Sequence, residues 1–212
     1  MEDPSYRQVL QLDENWNALK RRLDKESAQR LNRNFNLVHA IAGNAIDAQE
    51  IENKFSFELE IDHSLSLEER ILLGKFDGYD GLALDFKKNF PVEIHPGKTR
   101  VRVGLVPLKL LGWTGTPVVN LILNSQGLTP ATVVEQLAFA AKYPKVQLEL
   151  DIAATGSCHR ESGFIYVPVL CATSKGQRKL LTHWTEWTTR TMSSPSRDDA
   201  LGYDAKFLVK LS

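Results

Sequence analysis

The sequence predicts an α+β protein: an N-terminal helical region, then a mainly antiparallel β domain carrying one well-capped helix at about 129–143. Three observations predict it. Apolar residues between Leu12 and Ala42 recur at helical spacing, those from Phe55 onward alternate in twos, and Thr129-Pro130 opens a helical stretch that turns into alternation at Val146.

Residues 5–52 are almost free of Gly and Pro. Leu12, Trp16, Leu19 and Leu23 are spaced 4, 3, 4, and Leu31, Phe35, Val38 and Ala42 repeat that spacing after a polar break at 24–27. A seam this narrow is the signature of helices that pair with other helices. A helical arm or hairpin over 1–53 follows, in which Leu12, Trp16, Leu19, Leu23, Leu31, Phe35 and Val38 are the expected protein-interaction residues, lying on this chain's own sheet or on another subunit.

Residues 54–212 read as the α+β domain. Phe55, Phe57, Leu59 and Ile61 alternate with Ser56, Glu58, Glu60 and Asp62, a half-buried strand. Ser66 and Glu69 form a capping-box pair, predicting a short helix over 67–73 stopped by Gly74. Asp77-Gly78-Tyr79-Asp80-Gly81 is turn chemistry, with a strand at 82–86. Pro96-Gly97, between Val92/Ile94 and Val101/Val103/Leu105, predicts a hairpin over 90–106. The apolar run 118–123 suits a strand covered on both faces.

At 130–143 the expected helix has Thr129 as N-cap, Pro130 in its first position, a staple between Leu128 and Val133, and Pro144 as its stop. Val146, Leu148, Leu150 and Ile152 then alternate with Gln147, Glu149 and Asp151, predicting a strand. Further strands are expected at 164–172, with Pro168 marking an edge or bulge, at 180–192, and at the C-terminus, where Tyr203, Ala205, Phe207, Val209 and Leu211 alternate with mostly polar residues.

At 212 residues the chain can bury a core without metals or disulfides. Lys+Arg and Asp+Glu are both 26, so no overall field draws in nucleic acid or an anionic membrane. The chain has no run of about 18 apolar residues, the length a transmembrane helix needs, and the start Met1-Glu2-Asp3-Pro4 is acidic. With two cysteines and no Asn-x-Ser/Thr acceptor, a reducing cytoplasmic setting is expected.

Chemistry-bearing motifs are sparse. Gly97-Lys98-Thr99 lacks the first glycine of a phosphate loop, whose place Val92 takes. Cys158 and His159 are adjacent, so in extended chain their side chains diverge and a base would have to come from elsewhere. Asp77, Asp80 and Asp85 lack the alternate-residue spacing of a calcium loop. No metal site or cofactor is expected.

The strongest surface feature is basic. Lys98, Arg100 and Arg102 fall on one strand face, with Lys87 and Lys88 placed one strand away, and Glu58, Glu60 and Glu149 are expected to balance them across neighbouring strands. The leading expectation is a non-enzymatic binding or assembly protein that self-associates or docks on a protein partner through its N-terminal helices, with the β domain as platform. The alternatives are single-stranded nucleic-acid binding through the basic face, and an enzyme built on Cys158 or the 77–85 carboxylates.

Overall fold

The computed structural model describes Ile51, residues 55–79, 86, 88–108, 116–162, 164–186 and 205–211. The predicted seam of Leu12, Trp16, Leu19, Leu23, Leu31, Phe35 and Val38 lies outside the described residues, as does Lys87. Every described residue belongs to the unit spanning 43–212. Ile51, placed in the arm by sequence, is buried, and its Cγ2 lies where a Cβ on Gly104 would fall.

Among the described residues nine strands form a mixed, mostly antiparallel sheet. In chain order the elements are β1 (Ser56–Asp62), α1 (Leu67–Gly74), β2 (Gly78–Tyr79), β3 (Lys98–Pro107), α2 (Thr116–Ser125), β4 (Thr129–Pro130), α3 (Val133–Lys142), β5 (Ile152–Ala153), β6 (His159–Glu161), β7 (Phe164–Ala172), β8 (Arg178–Glu186) and β9 (Lys206–Leu211). The spatial order is β1-β3-β9-β5-β7-β8-β2, with β4 added on β9 and β6 on β7. The β5–β9 and β2–β8 pairings are parallel.

Alternation along β1 holds from Phe57 on, with Leu59 and Ile61 buried and Glu58 and Glu60 exposed, while Phe55, expected as the first inward residue, precedes the strand and is exposed. One sheet face, bearing Leu59, Ile61, Val103, Leu105, Leu208, Ile152, Leu170 and Leu180, packs with Leu67 of α1 and Val133, Leu137 and Ala140 of α3. Val106, Phe207 and Val209 point to the other face and are buried too, as are Val119, Ile122 and Leu123 of α2. The C-terminal strand is therefore interior, with Phe207, Leu208 and Val209 all covered, where alternation alone predicts one wet side.

Several sequence expectations are corrected. The capped helix begins at Val133: Thr132 is its N-cap and Glu135 completes the box, while Thr129 and Pro130 pair with Lys210 and Val209 as β4. Residues 118–123 are helical, because Val119, Ile122 and Leu123 also satisfy the i, i+3, i+4 stripe. Residues 146–148 form one turn of 3₁₀ helix, leaving only Ile152 and Ala153 as strand; Gln147 turns inward, donating to Cys171 O at 2.7 Å and Lys179 O at 2.6 Å.

The hairpin over 90–106 does not form. Gly97 has the positive φ of 124° that the turn needs, but residues 91–97 are irregular and β3 pairs with β1 and β9. Pro91 and Pro96 have no N–H to donate, and the strap is held instead by His95 N–H on His63 O at 3.1 Å.

Pro168 lies inside β7, which is not an edge. Its carbonyl accepts from Ala154 N–H at 3.2 Å, so its nitrogen also faces the β5 side, in the seam where β5 has ended and β6 has not begun. The missing donor falls where no ladder partner exists.

Candidate functional site

The site grows from the outer edge of β1. In the antiparallel β1–β3 pair, the ladder continues as His63 N–H to Gly97 O at 2.9 Å, so the odd-numbered residues Phe57, Leu59 and Ile61 turn their main-chain groups to β3. Glu58, Glu60 and Asp62 therefore turn theirs outward. Two helices reach this edge. Lys142 Nζ and Tyr143 Oη, at the end of α3, donate to Glu58 O at 2.7 and 3.0 Å. Arg70 Nη2, on α1, donates to Asp62 O at 2.6 Å, and its Nε to Leu65 O at 3.1 Å. Between these two capped carbonyls, the N–H and C=O of Glu60 have no partner among the described residues.

Local sequence fixes both helices in place. Ser66 Oγ accepts from Glu69 N–H and Glu69 returns the bond to Ser66 N–H at 2.7 Å; Thr132 and Glu135 repeat this on α3, where the Thr132 hydroxyl also donates to the Glu135 carboxylate. The caps thus satisfy Glu69 N–H on α1 and Val134 N–H on α3, and α1 ends with Lys75 in the left-handed region at φ 49°.

Between the β1 edge and the helices runs an open groove of about 400 Å³. Leu65, Leu73, Leu137, Ala138 and Ala141 supply its apolar lining, and Glu60, Asp62, Arg70, Lys98 and Lys142 its charges. Leu73 is 53% exposed beside Leu72 at 75%, which is unusual for leucines of a short amphipathic helix. Arg70 is only 4% exposed; burial draws its pKa down, against the pull of Asp62 and Glu135.

The charged face behind the edge is a register of opposite signs. Glu58 lies opposite Arg102, Glu60 opposite Arg100 and Asp62 opposite Lys98. Lys98 Nζ is 3.0 Å from Glu60 and 4.0 Å from Asp62. The Lys98 hydrogen bond holds the Glu60 carboxyl below its ordinary value and is returned as a raised Lys98; Ser64, bonded to Asp62, holds that carboxyl down as well.

The structure therefore places Lys98, Arg100 and Arg102 together, but directly against carboxylates. Lys88 is an exposed helical residue, not a member of a neighbouring strand, and Glu149 follows the 3₁₀ turn and faces none of them across a strand. No protein family, curated protein or solved structure matches this chain. Geometry alone bears on what the groove does.

The remaining sequence candidates stay apart. Cys158 is exposed and Cys171 is half-buried, both as free thiols, and burial pushes Cys171 up to about 11. Ser157 Oγ accepts from Val133 N–H at 2.9 Å, and His159 lies 3.9 Å from Glu161. Asp77 is spent on Arg178: its Oδ2 accepts from Arg178 N–H at 2.7 Å. Asp80 and Asp85 lie outside the described residues. Among the described residues no three His, Cys, Asp or Glu side chains gather as metal ligands, and no helix is long and apolar enough to cross a membrane.

Sequence reading missed Arg70, Lys142 and Tyr143. The one local signal was Arg70 itself, a cation directly before the apolar Ile71-Leu72-Leu73, where a surface helix of this length has room for few buried positions.

Proposed function

We propose that this protein is a non-catalytic binding and assembly protein, acting through protein–protein contacts of its N-terminal helices and of its β-sheet platform, and that the contact site on the platform is the β1 groove. The observation that carries this reading is the main chain of Glu60, which no described residue pairs, flanked by the capped carbonyls of Glu58 and Asp62 and facing an apolar wall. An unpaired strand edge beside a hydrophobic groove is the geometry by which extended segments are recognised: main-chain bonds supply affinity and the pockets supply selection. Lys142, Tyr143 and Arg70 shorten the open edge to one residue, which favours small, reversible contacts over sheet-to-sheet aggregation.

Nucleic-acid binding through Lys98, Arg100 and Arg102 has less support. Each of these cations faces a carboxylate in register, so the strand pair contributes little net field for phosphates.

The test is a selection of peptide ligands from a random displayed library on the full-length chain. The expected result is a set of ligands whose binding is lost when Ala138→Arg fills the groove and kept when Lys175→Ser alters the exposed turn between β7 and β8. Ligands indifferent to Ala138→Arg, or no ligands at all, would remove the groove from consideration. For the N-terminal helices, light scattering on the full-length chain against Trp16→Glu/Leu19→Glu measures self-association directly. An equal mass for both would take that seam out of the assembly.

A further inference from the structure

We infer that the groove takes a short extended segment of a partner protein with the pattern apolar–basic–apolar, added to β1 as an outer strand with its basic residue paired to Glu60. The inference rests on the reading of the groove as a protein-binding site and names the chemistry of what enters it.

The pattern follows from register. A residue laid opposite Glu60 accepts from its N–H and donates to its C=O. Its side chain then stands on the same face as the Glu60 carboxylate, with Glu58 and Asp62 diagonal to it. Its two neighbours lie opposite Leu59 and Ile61, whose side chains point to the helices, so they turn onto Leu137, Ala138 and Leu73. Beyond them the added strand meets Arg70 and Lys142, already bonded to Asp62 O and Glu58 O, which ends the main-chain pairing after a single residue.

Charge decides between occupants. A second copy of β1 added antiparallel about Glu60 would set Glu60 against Glu60 and Glu58 against Asp62, a row of like charges directly opposed. A single cation is accepted, because Glu60 then lies between Arg100 with Lys98 on the inner side and one basic residue on the outer side, with Glu58 and Asp62 diagonal to it. Exposed ion pairs are individually weak, so the charges select while the apolar contacts and main-chain bonds hold.

The experiment titrates the full-length protein with blocked heptapeptides that share glycine flanks and differ at the centre: valine–lysine–valine, valine–glutamate–valine, and the register-shifted lysine–valine–lysine. Fluorescence anisotropy reads Kd. The lysine-centred peptide is expected to bind at least about tenfold tighter than either of the others, to lose binding when the central amide is N-methylated, and to exchange places with the glutamate-centred peptide on Glu60→Lys. That exchange is the readout a merely structural role for Glu60 would not move; the melting temperature of Glu60→Lys controls for folding.

Equal binding of lysine- and glutamate-centred peptides, or a preference that Glu60→Lys leaves unchanged, overturns the inference. A preference for the glutamate-centred peptide that disappears on Lys142→Ala overturns it as well and reassigns the groove to anionic ligands. In these cases the peptides still bind at the groove and the broader reading stands. Ligands of any sequence failing to depend on Ala138 would instead defeat the broader reading first.

Discussion

The two ends of β3 live in different solvents. Over 98–102 one face is wet and carries a ladder of opposed charges with β1, and the outer edge beyond is held by side chains. Over 103–106 every residue is buried. The neighbouring strands repeat the contrast: among the described residues β1 pairs with β3 alone, whereas β9 is paired by β3 on one side and by β5 and β4 on the other. Burial is concentrated where both faces and both edges are filled, and the groove proposed as a contact site lies at the end where they are not.

Substitutions at the filled end are expected to cost most. Leu208 is fully buried between β3 and β5, so Leu208→Ala is expected to cost about 2–5 kcal/mol in urea unfolding, the range for large-to-small changes in a packed core. A cost under about 1 kcal/mol would erase the contrast.

Next comes Gln136. Its amide, fully buried on α3, donates to Ile152 O at 2.9 Å and Pro168 O at 3.0 Å, stitching a two-residue strand to the proline seam of β7, while its own Oε1 finds no partner. Gln136→Leu removes one donor from each of two carbonyls, of which Pro168 O keeps the Ala154 N–H, and also removes an unsatisfied oxygen, so a loss of about 1–3 kcal/mol is expected, the cost of unmade buried hydrogen bonds. Amide exchange should accelerate at Ala154, which donates to the same Pro168 carbonyl.

Smaller again is the cap of α3. Thr132→Ala removes the acceptor for Val134 N–H and should cost about 1 kcal/mol. At the open end, Lys98→Ala is expected to leave the melting temperature unchanged in 0.5 M salt, because the Glu60 pair is solvent-exposed on both sides.

The same contrast explains what could be read from sequence. Alternation in β1 and the Ser66–Glu69 box were legible because each is decided within about ten residues of chain. Thr129-Pro130 misled because it has the local chemistry of a helix start, but its main chain is claimed by Val209 and Lys210, some eighty residues on; the true box, Thr132 with Glu135, sat three residues away in plain view. Residues 118–123 and 146–152 failed for a related reason. A short apolar run fits either period, and what decided it was burial of Gln147 against two sheet carbonyls and the packing of Val119, Ile122 and Leu123. The basic strand was placed correctly and its partners were half anticipated. The groove was invisible, because it exists only where Arg70, Lys142 and Tyr143, from two helices, meet the edge of a strand that precedes both.

Protonation offers the finest discrimination between the two ends, since their carboxyl groups shift in opposite directions. Asp62, bonded to Ser64, and Glu69, bonded to Ser66, sit below their ordinary values of 3.8 and 4.5. A depressed value means the folded state prefers the ionised form, so their contribution is present above the unfolded value and is lost as pH falls through the folded one. Asp151, beside the two-residue β5, is raised above 3.8 by burial. For a raised acid the sign reverses: its contribution is complete below the unfolded value and is lost as pH rises through the folded one. Asp151→Asn should therefore stabilise the protein at pH 7, with the gain shrinking as pH falls toward 4. Asp62→Asn should destabilise it slightly at pH 7, that loss also vanishing in acid. Denaturation midpoints of the two variants across pH 3–7 would then approach the wild-type curve from opposite sides. Curves approaching from the same side would mean that burial near β5 and hydrogen bonding at the β1 edge do not divide the molecule in this way.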